Sequence, residues 1–187
     1  HKTTVSTEQM LIQIIKRARY LVQQGKTLFS TSALSFFLKN EVDFESFKAN
    51  PSHINYFASL DDFDIWGSIK VWANDEDRIL SLLSKMLLER KLFKVELSNK
   101  KNDIEIVNTT RKQLATFFNI SFQDTKFLCN TGKITNKGYL SHNQNILIKT
   151  KKGDIIDVAK ASDLPNIEAL SKIVKKFYLC YPKVLSL

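Results

Sequence analysis

Residues 75–91 read DEDRILSLLSKMLLERK, and residues 92–97 continue directly as LFKVEL. The first stretch has the period of a helix. Ile79, Leu80, Leu82, Leu83, Met86 and Leu87 form one broad apolar stripe, the pattern of a surface helix turned toward a core. Asn74 or Asp75 is placed to cap its start, Glu76 and Asp77 complement the positive end of the helix dipole, and Arg90 and Lys91 the negative end. The second stretch alternates apolar and polar residues, the period of a strand. The change near residue 92 decides the fold class. The expectation is α+β, with a helical segment over 1–91 and a smaller α+β domain over 92–187.

Upstream of this boundary the same periodicity predicts four more helices. Residues 7–24 carry Leu11, Ile14, Ile15, Ala18, Leu21 and Val22 at helical spacing, with Lys16, Arg17 and Arg19 between them, Thr7 as cap and Gly25 as stop. Short helices are expected at 32–39, after a Ser-Thr-Ser cluster, and at 52–59, past Pro51. A fifth helix, 61–73, opens on Asp61, Asp62 and Asp64. Those carboxylates suit a first turn and, as a rival reading, a divalent cation. Capping is favoured, since no further oxygen ligand or histidine is near in sequence.

Downstream, strands are expected at 92–97, 104–107 and 126–129. A helix is expected at 110–119, and a hairpin joins 146–150 to 155–158 around Lys151-Lys152-Gly153-Asp154. A helix over 166–177, after Pro165, closes the antiparallel part of the chain.

With 187 residues, 43% of them apolar, the chain suffices for one domain or somewhat more and for a real core. Five glycines and three prolines exclude a collagenous or low-complexity protein. No apolar run approaches the ~20 residues that span a bilayer. The net charge of +9 is uneven, +1 over residues 1–98 and +8 over 99–187. The basic half fits a solvated face or, alternatively, a surface for phosphates. Cys129 and Cys180 are too few for a disulfide framework or zinc site and read as buried thiols in a reducing, cytoplasmic protein. A chain that opens on His1 rather than Met reads as a piece of something longer.

Catalytic signatures are mostly missing. The glycines stand alone, no GxSxG or CxxC occurs, and His1, His53 and His142 are widely separated. A complete catalytic metal site is therefore not expected within this chain.

Two segments carry a resemblance. His1-Lys2-Thr3, leading into Glu8-Gln9-Met10-Leu11 and ending Lys16-Arg17-Ala18, resembles a stretch of HD-superfamily phosphohydrolases. The relatives meant are those similar to dGTP triphosphohydrolases and to the mammalian SAM-and-HD-domain dNTP triphosphohydrolase. Asp61-Asp62-Phe63-Asp64, followed by a helix ending Glu89-Arg90-Lys91-Leu92-Phe93-Lys94, is similar to the same family's acidic helix start and Arg-x-Leu-Phe-Lys motif. Ala161-Ser162-Asp163 and Phe177-Tyr178-Leu179-Cys180-Tyr181-Pro182 look like the C-terminal region of bacterial members.

The family's catalytic metal is held by a His…His-Asp…Asp set, and no His-Asp dipeptide exists here. The resemblance therefore implies a C-terminal region, with no cofactor of its own and a divalent metal in a catalytic half that lies elsewhere. Its implied roles are assembly, closing of the active-site wall and nucleotide sensing. The implied partners are that N-terminal HD half, a second subunit and a nucleotide effector; no membrane is implied. By resemblance the allosteric nucleotide site maps onto His1, Lys2, Arg90, Leu92 and Lys94. On the residues alone, Arg90 and Lys94 equally neutralise a helix end and solvate a strand edge. The stripes at 7–24 and 75–91 are expected to pack on the absent half or another subunit. The competing reading is a stand-alone basic module that docks nucleic acid.

Overall fold

The computed structural model describes residues 1–136, 147–157 and 174–186. Seven α-helices and five strands are formed among them: α1 Lys2–Gln23, α2 Ser32–Lys39, α3 Phe44–Ala49, α4 His53–Ser59, α5 Asp62–Trp72, α6 Arg78–Leu88 and α7 Ile104–Phe118, with β1 Lys94–Ser98, β2 Asn130–Asn136, β3 Leu147–Lys149, β4 Ile155–Asp157 and β5 Val174–Tyr181. The α+β expectation holds, with six helices before the first strand and α7 between β1 and β2.

The described chain groups into two interleaved units. The first holds 1–96, 103–130 and the residues from 179 onward; the second holds 97–102 and the described residues between 131 and 178. In the first unit α1 packs on α6, α6 on α5, and α2 on α1 and α5. Met10, Ile14, Ala18 and Leu21 of α1 are buried, as are Ile79, Leu80, Leu83 and Leu87 of α6. The apolar stripes of α1 and α6 face each other within this chain, because two adjacent amphipathic helices bury most apolar area face to face. Trp72 is fully buried at the end of α5, and its Nε1–H donates to the Phe29 carbonyl at 2.9 Å.

Local chemistry explains the helix ends. Asp61 accepts from the Phe63 and Asp64 amides, and the Asp64 carboxylate accepts from the Asp61 amide at 2.8 Å, a reciprocal capping box. The acidic run at 61–64 is thus used as a cap. In α6 the cap is Asp77, which accepts from Leu80 N–H at 2.8 Å, rather than Asn74 or Asp75. Asp75 instead accepts from the Asp77 amide and braces the cap. Helix α1 starts at Lys2, not Thr7, whose hydroxyl donates back to the Thr3 carbonyl within the helix.

Three strand and helix expectations are corrected, and one helix was not expected. Residues 104–107 are the first turn of α7: Asp103 caps Glu105 N–H, and the helical spacing of buried Thr110 and Leu114 outweighs the β-branched run. Residues 126–129 are not a strand; Asp124–Phe127 forms a 3₁₀ turn, and pairing starts at Asn130. Residues 174–177 belong to β5, which pairs centrally in the order β1-β5-β2 and so overrides helical propensity; 166–173 lie outside the described residues. Helix α3, capped by Asp43 and Ser46, has no counterpart among the expectations. The hairpin stands as expected, with Leu147 opposite Asp157 and Lys149 opposite Ile155. Its turn uses Gly153 at φ 94, a backbone region where a Cβ is costly.

Arg17 is the main surprise in the helical unit. It belongs to the charged positions of α1, yet its side chain is only 8% exposed. Nε and Nη2 donate to the two Asp77 carboxylate oxygens at 3.0 and 2.7 Å, and Nη1 donates to Asp124 Oδ1 at 2.7 Å. The guanidinium also lies 5.2 and 5.1 Å from the Tyr20 and Phe127 ring centres. Position 17 falls between Ile14 and Leu21 on the inward stripe, so the fold had to pair the charge it buried.

Candidate functional site

Of the residues singled out by resemblance, Arg90, Leu92 and Lys94 lie where α6 passes into β1, and His1 and Lys2 at the start of α1. Helix α6 ends in a Schellman motif: Arg90 N–H donates to the Leu87 carbonyl at 3.1 Å and Lys91 N–H to Met86 at 2.8 Å. The motif needs a left-handed residue after the C-cap, and here it is Arg90 at φ 58 rather than a glycine. Arg90 is exposed and borders a depression of about 400 Å³ with Thr7, Trp66, Leu87, Leu88 and Leu92.

Next along the chain, Phe93 is buried and its carbonyl accepts from the Ser6 hydroxyl at 2.9 Å. That bond pins the start of β1 against the first turns of α1. Lys94 Nζ lies 2.9 Å from Glu96 Oε1 and 5.6 Å from the centre of the Tyr181 ring, while Tyr181 O–H donates to the same Glu96 oxygen at 2.7 Å. Hydrogen bonds from Lys94 and Tyr181 hold the Glu96 carboxylate below its usual range, against burial, and the charges of Lys94 and Lys2 add to this. Lys94 is raised, chiefly by its bond to Glu96. Burial first, then the bond to Glu96, raises Tyr181.

The structure thus places Lys94 beside the Glu96 carboxylate, and Arg90 and Leu92 about one depression. His1 sits at the exposed N-cap of α1 without a side-chain capping bond. Glu96 and Tyr181 were missed by sequence reasoning. Glu96 had a signal, because 94 and 96 face the same side of an alternating strand. Tyr181, 85 residues further on, had none. Chemically, an anion approaching Lys94 meets an ammonium already shared with Glu96.

Other candidates are quieter. No group of three His, Cys, Asp or Glu side chains suited to a metal comes together among the described residues. Cys129 and Cys180 are buried free thiols. Burial pushes Cys129 up to about 11 against the charge of Arg111, and Cys180 up to about 12 with Cys129 adding to the shift. They act as small apolar groups. His142 and residues 161–163 lie outside the described residues. No helix among the described residues is long and apolar enough to cross a membrane.

No family profile matches the chain, and no curated protein matches it. Among solved structures it is similar to a phosphohydrolase from Bacteroides thetaiotaomicron VPI-5482, at 40% identity and a TM-score of 0.83. The similarity covers 97% of this chain and 45% of that one, so the chain spans less than half the length of the protein it matches.

Proposed function

We propose that the chain is the assembly and regulatory region of an HD-type, metal-dependent phosphohydrolase acting on deoxynucleoside or nucleoside triphosphates in the cytoplasm. It is not catalytic alone. The observation that carries this reading is the 40% identity to a phosphohydrolase over nearly all of this chain but only 45% of the other. In this reading a divalent metal belongs to the remaining part, together with the His…His-Asp…Asp set.

The geometry also supports a regulatory role. Lys94 stands beside Glu96, and Arg90 borders the same depression as Leu92. Ammonium and guanidinium donors suit a triphosphate, and Leu92 suits one face of a base. Phe44, Ile54, Phe57 and Phe63 on or beside α3, α4 and α5 are each more than half exposed, which supports association with the remaining part or a second subunit.

Reading the coding DNA upstream of His1 tests the first half of the proposal: an in-frame extension carrying His…His-Asp…Asp is expected, and its absence overturns the parent-enzyme reading. Calorimetric titration of dGTP into the chain tests the second. Arg90→Ala and Lys94→Ala should each weaken binding by roughly ten-fold. Wild-type affinity in both variants refutes the assigned site.

A second reading has its own observation. Lys133, Lys149, Lys151, Lys152, Lys175 and Lys176 in the second unit are all exposed, and none is ion-paired among the described residues. If this unit docks nucleic acid, affinity must collapse by orders of magnitude between about 50 and 200 mM salt. Base-selective nucleotide binding with a shallow salt slope favours the first reading.

A further inference from the structure

A second depression, of about 410 Å³, shares Leu92 with the first and is otherwise lined by residues with no assigned role. Its volume is that of a small-molecule site. The apolar lining comes from Leu82 and Met86 of α6, Leu92, Phe118 at the end of α7, and Val184 of the C-terminal 3₁₀ turn. Three helical or turn segments converge, so the shape depends on tertiary packing.

The polar members stand in a definite ratio. Lys85, Lys91 and Lys183 border the depression against the single carboxylate of Glu89. Lys91 already holds that carboxylate, with Nζ 2.7 Å from Glu89 Oε2. Lys85 and Lys183 have no ion pair among the described residues. A ligand here therefore meets an apolar floor and two ammonium groups that have no ion pair among the described residues, Lys85 acting on Glu89 only through its charge.

The lining also argues against a nucleobase. A base buried on this floor would present several donors and acceptors, and no side chain other than the three lysines and the paired Glu89 is polar. Unpaired polar edges on an apolar floor are penalised heavily. An aliphatic body carries no such penalty.

We propose that this depression binds an anionic amphiphile, a straight-chain carboxylate whose hydrocarbon lies along Leu82, Met86, Leu92, Phe118 and Val184 and whose head group meets Lys85 and Lys183. The assignment is independent of the phosphohydrolase reading. It requires neither a nucleotide nor another part of an enzyme, and it holds or fails on this chain alone.

The test is calorimetric titration of dodecanoate into the chain below its micelle-forming concentration, with dodecanol and dodecyltrimethylammonium as probes of equal chain length. Saturable binding of one dodecanoate per chain is expected, at least about ten-fold tighter than either control. Both lysines are exposed, so Lys85→Gln with Lys183→Gln leaves the fold intact and should remove that preference while weak dodecanol binding persists. Three results overturn the proposal: no saturable dodecanoate binding, equal affinity for the three probes, or an unchanged preference in the double variant. An acidic amphipathic peptide that binds at this rim when dodecanoate does not would overturn it in favour of a protein partner.

Discussion

Replacing Arg17 by Met removes a charge from the junction of α1, α6 and the 3₁₀ turn at 124–127. Three charge-assisted hydrogen bonds of 2.7–3.0 Å are lost at once. The Asp77 side chain, 9% exposed, keeps only the capping bond from Leu80 N–H; Asp124, 32% exposed, regains water. Breaking one partner of such a buried pair costs about 3–5 kcal/mol, because a charge is left in a low-dielectric site. The Asp124 share is small, as it is for exposed pairs. At about 2–4 °C per kcal/mol for a chain of this length, the melting temperature should fall by roughly 6–20 °C. Arg17→Met with Asp77→Asn should recover part of the loss, since Asn still caps a helix and carries no charge.

The pH dependence separates this account from mere loss of packing. In the wild type, burial alone would raise Asp77, but the hydrogen bonds from Arg17 and Leu80 N–H and the charge of Arg17 hold it below its ordinary value. A carboxylate depressed in the folded state contributes stability above its unfolded pKa of about 4, lost as pH falls through the folded value. Without Arg17 the buried carboxylate shifts upward instead. Arg17→Met should then gain stability between neutral and about pH 5, a range over which the wild-type Asp77 contribution is nearly flat. Urea and thermal unfolding at pH 5 and 7 measure both. A loss under about 1 kcal/mol, or the same pH slope in both proteins, refutes the reasoning.

Gly132→Ala should destabilise the second unit by about 1–3 kcal/mol, because the added Cβ would overlap the Tyr178 ring on the paired strand. Unchanged hydrogen exchange across 131–136 would show that the ring yields freely. Ser84→Ala should stabilise the protein by up to about 1 kcal/mol, since the buried Ser84 hydroxyl has no hydrogen-bond partner among the described residues; a lower melting temperature counts against this. Iodoacetamide at pH 8 should leave Cys129 and Cys180 almost untouched in the native protein, with about one thiolate in a thousand or fewer at values of about 11 and 12. Both should react promptly in urea, and rapid native labelling would place a thiol at the surface.

Helices whose signals are local were legible in the sequence. The stripe of α6, the acidic capping box of α5, the Pro-led α4 and the Lys-Lys-Gly-Asp turn all rest on residues within a few positions of each other, so sequence alone determined them. Arg90 and Lys94 were singled out by the resemblance of a short motif at a helix-to-strand junction, and their own local signals say only that they end a helix and edge a strand. What lay beyond reach depends on distance along the chain. Arg17 counts as a charged position until Asp77 and Asp124 arrive beside it, 60 and 107 residues later. Lys94 looks like a free cation until Tyr181 and Glu96 close around it. Residues 104–107 have the composition of a strand, but the Asp103 cap and the buried Thr110 and Leu114 make them helix. The stripes of α1 and α6 were plain in sequence, yet only packing decided that they face each other. Periodicity fixes which face is apolar; the partner that covers it, and the charges buried with it, are set by the folded chain.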